Sequence, residues 1–331
     1  MRIRKILSVV ISIIFCMVVL SGCLPQTEDK IKIGIIQFTQ FPTLDAVRQG
    51  FTMRMRELGY IDGLNSEFEY KSANGSFEEA NEIVDNFIED KKDIIISIST
   101  PATTVAMKAA DKIPVVFAAV SDPVGAGIVD SLESTGRNIT GTSNVIRIKE
   151  NLDLAFQLTP NIKKLGYIYN PAEQNSIKSL EGIKEYLKGK DVEIIETTVN
   201  SPAEVPAAAQ ELIQKVDSLF VPNDNTVAAV MPIIAKMAID AKIPAYVGLE
   251  LMVKENGLAN VGIRYETMGK ETANIAAEIL GGERQAKDIP VEILSDDLYT
   301  FINIDTAKKI GLTIPDKILG APKTVLYTAP K

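Results

Sequence analysis

The chain has 331 residues, with 35 Lys and Arg against 43 Asp and Glu, two cysteines and no histidine. A formal charge of −8 repels a phosphate backbone, so no nucleic-acid partner is expected. Without histidine the chain can build neither a Cys/His metal site nor a Ser-His-Asp apparatus, and no metal, no cofactor and no enzymatic role is expected.

At the N-terminus Arg2, Arg4 and Lys5 precede a run of 15 apolar or small residues, 6–20, which closes on Leu20-Ser21-Gly22-Cys23. A basic start, a short apolar stretch and small residues before a cut site are the marks of a secretory signal. The run is shorter than the roughly 18–20 residues a membrane-spanning helix needs. Leu-Ser-Gly-Cys is similar to a bacterial lipobox, in which Cys23 becomes the lipidated first residue of the mature protein. Cleavage there removes residues 1–22, and with them Cys16 and three basic charges, taking the net charge from −8 to −11. No internal disulfide is then expected, although the compartment would permit one. Residues 23–30 read as a polar tether.

From residue 31 short apolar runs alternate with longer amphipathic ones, the pattern of βαβ units and parallel sheets. Strands are predicted over 32–37, 67–70, 93–97, 115–118 and 139–142, with helices over 44–58, 77–90 and 102–110. A second series follows, with strands over 165–169, 193–196, 219–221, 245–247 and 259–263 and helices over 172–188, 204–214 and 227–240. The two series correspond. Lys32-Ile-Gly-Ile-Ile matches Lys164-Leu-Gly-Tyr-Ile, and Asp93 with the later Lys112-Ile-Pro matches Asp217 with Lys242-Ile-Pro. The expectation is an α/β protein of two Rossmann-like lobes. A helix over 268–280 ends at Gly281-Gly282, as glycine commonly ends helices, and strand-like segments at 291–294 and 299–303 follow. Crossings between lobes are expected near 142–144, 263–265 and 294–300, forming a three-strand hinge. Lobe 1 would hold 31–143 and about 265–294, lobe 2 144–264 and about 300–331.

Ligands of open parallel sheets bind beyond the carboxyl ends of the strands. Thr100-Pro101, Asp122-Pro123 and Asn170-Pro171 each place a capping residue before a proline suited to a first helical turn, and Asn223-Asp224-Asn225-Thr226 offers the polar residues without the proline. Each is ordinary capping taken alone; together they would ring one cleft with donors that favour a carboxylate or phosphate. Ala102 and Thr103 follow in the first turn after Pro101, and Ser121 precedes Asp122. Phe38 and Phe41 either wall a ligand or pack beneath the loop, and Tyr169 and Tyr265 are similar candidates. Neither a P-loop nor a G-x-G-x-x-G is present.

Ser99-Thr100-Pro101-Ala102, Val120-Ser121-Asp122-Pro123, Asn138-Ile139-Thr140-Gly141, Tyr169-Asn170-Pro171, Asn223-Asp224-Asn225-Thr226 and the closing Ala307-Lys308-Lys309-Ile310-Gly311-Leu312 occur in this order. The set resembles the ABC-transporter substrate-binding family associated with tryptophan and tyrosine uptake, over about 32–315. The resemblance implies a type I periplasmic-binding fold, an ABC permease as partner, and no catalysis. Related proteins often bind aromatic amino acids; together with the signal and the polar loops, the expectation is a lipid-anchored monomer on the extracytoplasmic face of the membrane that captures a small polar ligand, amino-acid-like or carboxylate-bearing. The same lobes also suit a sensor that presents its ligand to a membrane signalling protein. The family pattern carries His-Pro where Phe41-Pro42 stands here, and aspartates where Asn144 and Arg264 stand. Asp45 and Glu250 remain as acids for a ligand amine, and Arg264 is expected either to grip an anionic group or to form a hinge salt bridge with Glu250 or Asp224.

Overall fold

Continuous apolar runs make buried parallel strands, and the Ile-Ile-Ile-Ser-Ile of residues 94–98 is buried at all five positions. The computed structural model describes residues 30–294 and 298–328; the predicted signal, Cys23 and all but the last tether residue lie outside them. One sheet holds β1 (Ile31–Gln37), β2 (Ser66–Ser72), β3 (Ile94–Ile98), β4 (Val115–Val120), β5 (Ile139–Ser143) and the short β11 (Glu292–Ile293), in the order β2-β1-β3-β4-β5-β11. The second holds β6 (Lys164–Tyr169), β7 (Glu193–Thr198), β8 (Ser218–Val221), β9 (Ala245–Val247), β10 (Ala259–Gly262), β12 (Tyr299–Asn303) and β13 (Thr324–Tyr327), in the order β7-β6-β8-β9-β10-β12-β13. All pairings are parallel except β10 with β12.

The helices are α1 (Pro42–Glu57), α2 (Phe77–Glu89), α3 (Thr100–Ala106), α4 (Ile148–Leu158), α5 (Gln174–Leu187), α6 (Val205–Ile213), α7 (Asn225–Ala228), α8 (Met231–Asp240), α9 (Glu250–Lys254), α10 (Tyr265–Leu280), α11 (Ile304–Ile310) and α12 (Asp316–Leu319). None of the described helices is long and apolar enough to cross a membrane.

The matching sequence motifs occupy matching places. Asp93 Oδ2 accepts from the Lys32 N–H at 2.7 Å, and Asp217 Oδ2 accepts from the Lys164 N–H at 3.1 Å. In both lobes, therefore, the acid before the third strand ties down the start of the first. A Cβ on Gly34 would fall 2.7 Å from the Phe87 ring of α2, and one on Gly166 would fall 3.1 Å from Leu212 of α6. Each glycine lets the layer above close onto the sheet. α10 follows the second sheet in sequence yet packs on α1 beneath the first. A Cβ on Gly269 would lie 2.0 Å from the Val47 carbonyl oxygen, which is what allows the two helix backbones to approach so closely.

Some elements differ from the sequence reading. The helix expected over 227–240 is two, α7 and α8, because Pro232 starts a new helix rather than continuing the old one. α4 was not foreseen, although Ile148, Leu152 and Ala155 carry the helical spacing that packs it; α9, α11, α12 and β13 were also missed. Asp122-Pro123 opens a turn, with the Asp122 carboxylate accepting from the Gly125 N–H at 2.8 Å, and no helix follows.

Candidate functional site

The carboxyl ends of β1, β3, β4, β8 and β9 meet around one small cavity between the two sheets. The first sheet contributes Phe41, Thr43 and Leu44 from the start of α1, Ser99 and Thr100 after β3, and Ala119 on β4. The second contributes Asn175, Asn223, Asn225 and Leu249, while Asn144 and Tyr265 stand where the chain passes between the sheets. None of these twelve residues is charged. About 10 Å³ of the space is open to the centre of a water-sized sphere, close to what one water occupies, so the walls must part to admit anything larger.

Two of the lining residues have unusual backbones. Ser99 has φ 97° and Ala119 φ 58°, conformations that cost a non-glycine residue about 1–3 kcal/mol and cluster at binding sites. Ala119 lies at an irregularity where the β4–β5 register shifts between Phe117 and Val120. The bulge turns the end of β4 toward the cleft.

Buried polar atoms normally find partners. Four in this wall have none among protein atoms: Thr43 Oγ1, Thr100 Oγ1, Asn144 Oδ1 and Asn175 Oδ1. α1 also begins here without a side-chain cap, with Pro42 in its first turn, so the positive end of a 16-residue helix faces the same space.

Behind the second-sheet wall lies a buried polar network. Glu173 is 0% exposed and accepts from the N–H and side-chain amide of Asn225 (2.8 and 2.6 Å), the N–H and hydroxyl of Thr226 (2.9 Å each) and the Asn175 amide (3.2 Å). Asp224, also fully buried, accepts from the Asn170 N–H, the Ser176 hydroxyl and the Val227 N–H. Burial, followed by the adjacent Glu173 charge, holds the Asp224 carboxyl well above the usual range.

The expected site residues therefore divide. Phe41, Thr100, Asn144, Asn223 and Asn225 line the cavity. Asn170, Asp224 and Thr226 stand behind it as scaffold: the Asn170 amide donates to Thr226 Oγ1 at 3.0 Å. Ser121 and Asp122 form the rim. The Asn223 amide donates across the cleft to Ser121 Oγ at 2.6 Å, and Lys178 approaches Asp122 at 3.5 Å. Outside this rim an open groove of about 630 Å³ runs between Asp122 and the helices α4 and α5.

The remaining expected residues lie elsewhere. Phe38 is fully buried against Phe77, their rings 5.0 Å apart, and belongs to the core. Ala102 is core too, and the Thr103 hydroxyl bonds back to the Ser99 carbonyl. Asp45 is taken by Gln37 and Arg48 beside it. Glu250 accepts from the Tyr327 hydroxyl at 2.8 Å, and burial raises its carboxyl while Tyr327 and the Arg264 charge pull it back. Arg264 is exposed, with its guanidinium 4.9 Å above the Tyr299 ring, so the structure places it on the outer side of the hinge near Glu250 and not against the cavity. Thr43, Leu44, Ser99, Ala119, Asn175, Leu249 and Glu173 escaped the sequence reading. Glu173-Gln-Asn175 lies just past the quoted Asn170-Pro171, the one local signal that could have found two of them.

A family model described as ABC transporter substrate binding protein matches residues 32–326. A tyrosine-binding protein of Clostridioides difficile (strain R20291) is 37% identical over 322 residues, which is 93% of each chain. A Streptococcus pneumonia ABC domain in complex with L-Trp superposes with a TM-score of 0.84 at 30% identity, covering 90% of this chain and 100% of that one. The ligand-free, open structure of a Clostridium difficile substrate-binding protein with adhesive properties is 35% identical, covering 90% and 99%, yet superposes with a TM-score of only 0.66. The better fit to the liganded relative, at lower identity, agrees with the cross-cleft Asn223–Ser121 bond: the lobes stand closed. The fold is of the type I periplasmic-binding class.

Proposed function

We propose a function from one premise: this chain belongs to the family of ABC transporter substrate-binding proteins, extracytoplasmic binding proteins and not enzymes. It is the solute-binding lipoprotein of an importer, anchored through Cys23 and acting as a monomer. It captures a small amino-acid-like, carboxylate-bearing ligand between lobes built from 31–143 with about 265–294 and from 144–264 with about 300–331, and delivers it to a membrane permease. The observation that carries this reading is the convergence of Thr43, Thr100, Asn144 and Asn175 on one interlobe cavity with their polar atoms unmatched by protein partners. A ligand that bonds to them recovers the desolvation cost of each, about 1–3 kcal/mol. The uncapped start of α1 suits the carboxylate, and Phe41, Leu44, Leu249 and Tyr265 supply apolar and aromatic contact. The tyrosine-binding and L-Trp-bound relatives favour an aromatic amino acid. Isothermal titration calorimetry with L-tyrosine and L-tryptophan tests the reading: saturable one-to-one binding supports it, and no heat from either ligand at millimolar concentration defeats the aromatic assignment.

A further inference from the structure

The direction in which an asparagine amide faces is fixed when one of its ends meets groups that can only accept. The Asn175 Nδ2 lies 2.9 Å from the Asn223 carbonyl and 3.2 Å from Glu173 Oε2. Neither can donate, so the –NH₂ must face them and Oδ1 is left in the cavity wall, buried and without a protein partner. The Asn225 Nδ2 is held in the same way, 2.6 Å from the same carboxylate oxygen, and Asn225 also lines the cavity. Three of the five contacts to Glu173 come from N–H groups on Asn225 and Thr226 and a fourth from the Asn175 amide. Oε2 of Glu173 meets N–H donors alone, from Asn175 and Asn225, and so acts as an acceptor. Among the described residues, no lysine or arginine lies within 4 Å of Glu173 or of Asp224.

We infer that Glu173 is a positioning residue that turns the Asn175 and Asn225 carbonyl oxygens onto the cavity and makes that wall a seat for the protonated amine of the ligand. The inference deepens the proposed function and rests on a ligand binding in this cavity. It accounts for a site with no acid in its lining. Two amide oxygens, their –NH₂ groups held by the Glu173 carboxyl behind them, accept N⁺–H bonds, while the uncapped start of α1 on the opposite wall takes the carboxylate. Methionine at 173 keeps about the same side-chain volume but removes both oxygens, so the Asn175 and Asn225 amides lose the acceptor that fixes them; glutamine could keep an oxygen at the Oε2 position and hold both.

The test compares amine-bearing ligands with their amine-free counterparts by calorimetry: L-tyrosine against 3-(4-hydroxyphenyl)propionate, and L-tryptophan against indole-3-propionate. Wild type should bind the amine-bearing member at least about tenfold more tightly, the scale of one hydrogen bond to a charged group, and Glu173→Met should reduce that ratio to less than about threefold. Equal binding of both members by wild type, or an undiminished ratio in Glu173→Met, overturns the inference. A loss of overall stability alone would not change the ratio. If wild type binds no member of either pair, the aromatic reading fails by itself and the amide orientation is decided without ligand, by hydrogen exchange of the Asn175 and Asn225 side-chain amides in ¹⁵N-labelled protein. Strong protection of both supports the inference, and exchange as fast as that of exposed amides overturns it. Both wild-type measurements stand even if Glu173→Met does not fold.

Discussion

Replacing Thr100 with valine should stabilise the ligand-free protein and weaken its ligand at the same time. Thr100 is the first residue of α3 and is 3% exposed, and its hydroxyl meets no partner among protein atoms. The cap of α3 comes from Ser99, whose Oγ accepts from the Ala102 N–H, so the substitution leaves it in place. A hydroxyl buried without a partner costs about 1–3 kcal/mol. Valine puts a methyl in its position with nearly the same volume, and a gain of about 1 kcal/mol would raise the melting temperature by roughly 2–4 °C for a chain of this size. If the same hydroxyl bonds to the ligand carboxylate, its loss costs about 1.5–3 kcal/mol of binding, roughly a 10- to 150-fold rise in Kd. Thermal melts without ligand and calorimetry with L-tyrosine or L-tryptophan read the two effects separately. A lower melting temperature with unchanged affinity would refute the reasoning, because it would make Thr100 an ordinary structural residue.

Ser121→Ala removes the 2.6 Å bond from Asn223 across the cleft; ligand dissociation should quicken about fivefold, with association little changed, by stopped-flow fluorescence. Gly269→Ala would press a Cβ against the Val47 carbonyl, and urea titration should show a loss of about 2–4 kcal/mol as α1 and α10 are forced apart. Burial lifts the Glu255 carboxyl to about 7, so the folded state holds that proton more tightly than the unfolded chain. Its stabilising effect is full below about pH 4.5 and lost as pH rises through 7. Glu255→Gln should therefore match wild type near pH 4 and exceed it at pH 8 by about 1 kcal/mol, discounted for partial solvent contact, as read by denaturant melts at the two values. Cys23→Ser should release the protein from membrane pellets with its fold intact, and retention at the wild-type level would remove the lipid anchor from the proposal.

The architecture was legible because repetition is a strong signal. The Asp93 and Asp217 motifs hold the same position in their two sheets, and the Pro-Val-Val and Pro-Ala-Tyr runs after them each start the next strand. The site was legible only in part. Loops after strands could be named, and Thr100, Asn144, Asn223 and Asn225 do reach the cavity, but which side chain turns inward depends on backbone details that no motif carries. Ser99 and Ala119 adopt positive φ without being glycine. Phe38 comes one residue after β1 and turns to Phe77 in the core, while Phe41 turns to the cleft. Arg264, read as a possible anion clamp from its place after β10, stacks instead on Tyr299, which the chain brings beside it from 35 residues further on. Glu173 stands close to Asn170-Pro171 in sequence, but nothing local shows its weight. Its importance comes from partners at 175, 225 and 226 that only the fold assembles around it.

The central claim is that the closed cleft holds one small amine-bearing carboxylic acid. Native mass spectrometry of the purified protein, before and after refolding from denaturant, tests it most directly. The account predicts one small molecule bound per chain as purified, lost on refolding, and replaced one-to-one when L-tyrosine or L-tryptophan is added. A single unliganded mass in every preparation, unmoved by any proteinogenic amino acid, would contradict it.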